Sequence, residues 1–113
     1  VADLVNISSV AGRIARAGSA VYNLTKFGVT AFSEALRQEV AGRHLRVSVV
    51  EPGVVATELT SHLRPEVGDI MKQRFGNIER LQADDIADAV TYIVTRPRHV
   101  AINELLVRPT EQL

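Results

Sequence analysis

The residues from about Val21 to Ala41 read as one long helix, and short apolar runs flank it on both sides. This alternation constrains the fold more than any other feature of the chain. Val29, Phe32, Leu36 and Val40 recur at three- and four-residue intervals. Leu24, Ala31 and Ala35 widen that stripe, so the spacing predicts a helix covered along one broad face. Gly42 supplies a C-terminal stop. Before the helix, Leu4 to Ile7 is a short apolar run closed by Ser8, Ser9 and Gly12, read as a strand. After it, Leu45 to Val50 holds Val47, Val49 and Val50, whose branched side chains favour a second strand. Pro52-Gly53 ends that strand.

The pattern then repeats. Residues 54 to 80 mix Leu59, Leu63, Val67, Ile70, Met71 and Phe75 with Pro65, Gly68 and Gly76, an irregular insert of one or two short helices. Ala83 to Thr95 reads as a helix with Ile86, Ala89, Val90, Ile93 and Val94 inward. Its first turn carries Asp84 and Asp85, which suit the positive end of the helix dipole. Pro97 closes it, Ile102 to Val107 forms a third strand, and 108 to 113 is a tail. Strand–helix–strand order with right-handed crossovers builds a parallel sheet covered by helices. The expectation is an α/β fold of about three strands, the second half of a doubly wound sheet. Residues 1–113 are read as one partial domain with the insert at about 54–80.

Composition narrows the function. The 113 residues are 46% apolar, and 13 basic residues balance 13 acidic ones. Nucleic-acid binders carry a basic patch or stripe, so no such partner is expected. No apolar run reaches the length of a membrane helix, and the start lacks a signal-peptide pattern. With no cysteine there is no disulfide or thiolate site, and His44, His62 and His99 share no metal-ligand spacing. The expectation is a cytoplasmic protein with no metal centre.

Ligands of such sheets gather beyond the carboxyl ends of the strands. Ser8 and Ser9 follow the first strand there; Pro52, Gly53 and Thr57 follow the second. Tyr22 and Lys26 open the connecting helix, so they lie at the same edge. Four helical residues advance about 6 Å and return to one face, so both tips can reach one small molecule. Taken singly, each has an ordinary reading. A strand-end serine caps a turn, a tyrosine packs, a lysine is solvated and Pro-Gly turns the chain. Their convergence carries the functional reading.

These pieces resemble the C-terminal half of the short-chain dehydrogenase/reductase family. The matching segments are "NISS" at 6–9, "YNLTK" at 22–26 and "EPGVVATE" at 51–58, with Ser9 thirteen residues before Tyr22. The helix "KFGVTAFSEALRQEV" is similar too, and the likeness runs from Leu4 to Val107. It implies a Rossmann-like fold and hydride exchange between NAD or NADP and a ketone or secondary alcohol. Tyr22 then resembles the general acid/base and Ser9 the group that holds the substrate oxygen. Lys26 resembles the residue that binds the nicotinamide ribose and sets a cation beside the phenol, which favours the ionised form. Pro52, Gly53, Val55 and Thr57 resemble the segment that meets the nicotinamide ring and carboxamide. The insert resembles a substrate lid, its apolar residues fitting a partly hydrophobic substrate, and Arg13 and Ile14 border the cleft or are solvated. The 21–41 helix resembles one that pairs between subunits, which implies a homo-oligomer.

The likeness has gaps. The chain has no glycine-rich first turn and no ribose-reading residue. Asn6 and Asn23 do not match the asparagine that the family places in its proton relay. About half a cofactor site is therefore expected, with poor cofactor binding and no turnover by these residues alone. The competing reading is a non-catalytic binding or assembly module that keeps half of the fold.

Overall fold

The computed structural model describes residues 1–56 and 76–113. Strand β1 spans Ala2–Ile7, helix α1 Ala20–Val40, strand β2 Leu45–Pro52, helix α2 Ala83–Val94 and strand β3 Glu104–Val107. The three strands form one parallel sheet in the order β1-β2-β3. The α/β architecture expected from the alternation is therefore present. The register sets Asp3 beside Arg46, Asn6 beside Val49, and Val50 beside Leu105.

Central β2 carries the core because helices pack on both of its faces. Val47, Val49 and Val50 are buried, joined by Val54 and by Ile93 from α2. Parallel strands place their carboxyl ends at one edge, and α1 begins at that edge. At the opposite, amino edge, Arg46 ties the elements together. Its guanidinium is bidentate to Asp3, at 2.7 and 2.9 Å. It also donates to the carbonyls of Val94, Arg96, Pro97 and Val100, where α2 ends. A helix end leaves carbonyls without intrahelical partners and favours a cation, and Arg46 meets both needs.

The third strand begins at Glu104, two residues later than the expected Ile102, and three features of the helices differ as well. Phe32, placed in the covered stripe, is 61% exposed, and Leu24, Ala31 and Ala35 are exposed as well. The side of α1 that meets the sheet runs through Asn23, Lys26, Thr30, Ser33 and Arg37, again at three- and four-residue steps. Polar anchoring, described below, sets that rotation. Second, α1 does not stop through Gly42. A one-turn 3-10 helix at Ala41–Arg43 carries the chain on, and His44 takes the left-handed conformation at φ 60°. Third, Val94 is 39% exposed and not part of the inward face of α2. The expected short helices of the insert lie outside the described residues.

Candidate active site

β1 ends at Ile7, and the next five residues build a compact turn. Ser9 caps a 3-10 helix at Val10–Gly12: its Oγ accepts the Ala11 N–H at 3.1 Å. Ser8 is buried and faces the other way. Its hydroxyl donates to the Lys26 carbonyl at 3.1 Å and lies 2.9 Å from Thr30 Oγ1. Two residues earlier, Asn6 Nδ2 donates to Ser33 Oγ at 2.8 Å. Alternate residues of β1 and its extension thus grip successive turns of α1 through polar contacts. Gly12 completes the knot. A Cβ there would stand 2.6 Å from Ser8 Oγ and 2.7 Å from Thr30 Oγ1, so only glycine lets the turn lie this close to α1.

Tyr22 and Lys26 sit one turn apart at the start of α1. The Lys26 ammonium lies 5.6 Å from the centre of the Tyr22 ring, within cation–π reach. The ring is 46% exposed, and among the described residues its hydroxyl makes no hydrogen bond. Between these two residues in sequence, and next to Tyr22, Asn23 is buried. Its side-chain amide donates to the carbonyls of Ala11 and Ile14, at 2.7 and 2.8 Å, and accepts the Arg16 N–H at 3.3 Å. The Ser9 turn and the Tyr22 end of the helix are thereby joined.

Pro52 ends β2, and Gly53 follows with its N–H on the Val107 carbonyl at 2.7 Å. Gln112 accepts the Val54 N–H at 2.9 Å and presses on Gly53 so closely that a Cβ has no room. The segment read from sequence as a tail is therefore part of this edge. Val55 pairs with Leu81 in a single parallel bridge that uses the Val54 carbonyl and the Ala56 N–H. Its own N–H and carbonyl make no hydrogen bond among the described residues. Thr57 lies outside the described residues.

Beneath the Ser9 turn, Arg13 spans β2 and β3. Its Nε donates to Glu51 at 2.9 Å, and a terminal nitrogen meets Glu104 at 2.7 Å. The Glu51 side chain is fully buried, and one carboxylate oxygen has no partner among the described residues. Burial pushes the Glu51 carboxyl above the ordinary carboxylate range; the Arg13 hydrogen bond pulls it down, and the adjacent Glu104 pushes it up. Burial wins because half of this carboxylate faces no donor. A cavity of about 300 Å³ opens between α1 and the sheet, lined by Phe27, Thr30, Val47, Val49, Asn103 and Glu104. Gly12 also lines it, but Ser9, Tyr22 and Lys26 do not.

The structure brings Tyr22 and Lys26 together and ties Ser9 to the same helix end. Pro52 is the last residue of β2, and Gly53 and Val55 lie beyond its carboxyl end, at that same edge. Sequence reasoning set Asn23 aside and did not single out Gln112 or the Arg13 partners. Asn23 did leave a signal: Asn23, Lys26, Thr30, Ser33 and Arg37 form a polar row at helical spacing. Among the described residues, no group of three His, Cys, Asp or Glu could hold a metal, and no helix is long and apolar enough to cross a membrane.

Parallel sheets of this kind take ligands in the crevice beyond the carboxyl ends of their strands, the edge at which Tyr22, Lys26 and Ser9 lie. The chain belongs to the short chain dehydrogenase family, whose family model matches residues 1–68. It is 41% identical over 110 residues to a "probable NADP-dependent dehydrogenase" of Haemophilus influenzae, covering 96% of this chain and 44% of that protein. It is 38% identical over 113 residues to an uncharacterised oxidoreductase of Staphylococcus saprophyticus, covering 96% of this chain and 45% of that protein. The solved structure of the closed form of a serine dehydrogenase complexed with NADP+ superposes with a TM-score of 0.80 at 38% identity, over 93% of this chain and 43% of that one. The chain thus spans about half the length of the curated relatives it matches.

Proposed function

We propose that this chain is the catalytic half of an NAD(P)-dependent oxidoreductase acting on a carbonyl or secondary-alcohol substrate. The observation that carries this reading is the joint placement of Tyr22, Lys26 and the Ser9 turn at one sheet edge, linked through Asn23. Residues 1–113 form one partial nucleotide-binding domain in this reading, with the 54–80 insert as the substrate lid.

The residues present fit a nicotinamide. Val55 offers an unused backbone donor and acceptor, which matches the two hydrogen-bonding groups of a carboxamide. Gly53 leaves bare backbone at the strand end, and the Lys26 ammonium has no carboxylate partner among the described residues, leaving it free for ribose hydroxyls. Thr57 completes this set by the sequence pattern. When bound, the cofactor supplies or accepts the hydride; the protein orients and polarises.

Tyr22 holds the proton at its phenolic oxygen. It donates that proton to the substrate oxygen during reduction and takes it back during oxidation. Ser9 has an acceptor role toward Ala11 but retains its hydroxyl proton, which it donates to the same substrate oxygen as charge develops there. Lys26 keeps a positive charge beside the phenol through the proton transfer. The exposed Val21, Leu24 and Phe32 on the outer side of α1 support a homo-oligomer in which this helix packs on a second subunit.

The 113 residues alone do not turn over in this reading, because the pyrophosphate-holding glycine-rich turn is not among them. The test compares the purified chain with its full-length parent. Nicotinamide absorbance is followed with NAD, NADP and a broad panel of ketones and secondary alcohols. Turnover by the parent alone is expected. Turnover by the homogeneous 113-residue chain defeats the half-site argument, and a silent parent favours the binding or assembly module.

A further inference from the structure

We propose that Asn23 is a positioning residue whose side-chain amide sets the distance between Ser9 and Tyr22. This proposal rests on the reading of Ser9 and Tyr22 given above and assigns the part that holds them in register.

The link has three members. Ser9 Oγ accepts the N–H of Ala11 at 3.1 Å. The carbonyl of the same Ala11 accepts from Asn23 Nδ2 at 2.7 Å. Asn23 is bonded covalently to Tyr22. One residue, Ala11, therefore carries the position of the serine hydroxyl, through the two peptide units that flank its Cα, to the residue beside the tyrosine. The second Nδ2 proton goes to the Ile14 carbonyl at 2.8 Å, and Oδ1 takes the Arg16 N–H at 3.3 Å. The whole crossing from Ala11 to Arg16 is thereby fastened to one side chain. The Asn23 N–H in turn bonds the Ser19 carbonyl at 2.7 Å, closing the loop where the helix starts.

No other common side chain does this in the same space. The site requires two donors and one acceptor on a short planar group. Aspartate keeps the shape and the Oδ1 acceptor but sets an oxygen against two carbonyls. Alanine removes all three contacts. The amide is buried and all three of its hydrogen bonds go to backbone, so it acts through the backbone and not on substrate. Reacting groups must be held closely, since misplacement of about 1 Å costs about 100-fold in rate. An amide that fixes the Ser9 turn therefore affects turnover more than cofactor binding.

The experiment uses the full-length parent as wild type, Asn23→Ala, Asn23→Asp, Ser9→Ala and Ser9→Ala with Asn23→Ala. Steady-state rates, cofactor affinity by fluorescence titration, and hydrogen exchange of the 10–16 segment are measured. Both Asn23 variants should lower kcat by about 10- to 100-fold, with cofactor Kd within about two-fold of wild type and faster exchange confined to the 10–16 segment. In the Ser9→Ala background, Asn23→Ala should change kcat by no more than about two-fold, because the group being positioned is gone. An equal loss in both backgrounds would show a general structural role and overturn the proposal. So would unaltered exchange and full kcat in both single variants, the isosteric Asn23→Asp guarding against a mere folding defect. If Ser9→Ala alone leaves turnover unchanged, the reading of Ser9 fails and the proposal falls with it; that outcome is distinct because it appears without any change at Asn23.

Discussion

At the amino edge of the sheet, one guanidinium meets Asp3 and four backbone carbonyls. At the carboxyl edge, Ser8, Asn23 and Gln112 hold the backbone with neutral hydrogen bonds, while the Tyr22 hydroxyl makes none among the described residues. Both edges are polar, yet they use polarity differently. Arg46 has spent its donors on the fold, and its hydrogen bond to Asp3, aided by the ion pair itself, holds that carboxyl below its usual range. The carboxyl edge spends the amides of buried Asn23 and half-buried Gln112 on backbone, and leaves the Tyr22 ring exposed beside half-buried Lys26. In the proposed reading, Tyr22 and Lys26 are positioned through the residues around them, which leaves the phenol and the ammonium without side-chain hydrogen bonds among the described residues.

This contrast can be broken at the amino edge first. In the full-length parent, Arg46→Met strands Asp3 and removes the donor to four carbonyls, that of Val94 in α2 and those of Arg96, Pro97 and Val100 just after it. Arg46 is the buried member of this pair, and its six hydrogen bonds to Asp3 and the four carbonyls are lost together. A fall in Tm of roughly 10 °C is expected by calorimetry, with turnover per folded molecule within about two-fold of wild type. The pH dependence follows from Asp3. Its lowered pKa contributes stability that is present above the ordinary carboxylate range and lost as pH falls through the lowered value. The variant should therefore lack the part of acid unfolding that belongs to Asp3.

Arg13→Gln sharpens the comparison with a smaller effect, since this pair lies beneath the carboxyl edge. Arg13 is 40% exposed, so water screens it, and the expected loss is about 2 kcal/mol, below the 3–5 of a fully buried pair. The sign with pH is opposite to that of Asp3. The raised Glu51 pKa contributes stability that is present below the ordinary carboxylate range and lost as pH rises through the raised value. Arg13 pulls Glu51 down, so its removal pushes Glu51 higher still and the penalty grows with pH. Urea midpoints at about pH 5 and about pH 8 should diverge more from wild type at the higher pH. A constant difference across that range would remove Glu51 from the account.

The sequence showed the alternation of elements because β-branched runs and helical spacing are local properties. Leu45 to Val50 lies within β2 as read, and Ala83 to Thr95 overshoots α2 by one residue. The rotation of α1 was not legible from its apolar residues. Val29, Leu36 and Val40 do turn partly inward, but Asn23 and Ser33 occupy the most buried positions and leave Phe32 outside. Apolar periodicity assumes that the sheet-facing side is the greasy one; here β1 presents Asn6, its extension presents Ser8, and α1 answers with polar groups. The candidate site was legible as a set of residues, since parallel topology sends strand ends to one edge. Its scaffolding was not. Asn23, Gln112 and Glu51 act through partners 12, 58 and 38 residues away, and no local pattern states such pairings.

The central claim is that the carboxyl edge does chemistry while the amino edge maintains the fold. Tyr22→Phe in the full-length parent tests it most directly, because the exchange removes one exposed hydroxyl and keeps the ring beside Lys26. Turnover per folded molecule is measured with Tm on the same sample. The account predicts a loss of about 10²- to 10⁴-fold in kcat with Tm unaltered. Full turnover by Tyr22→Phe, or a loss explained by unfolding alone, would contradict it.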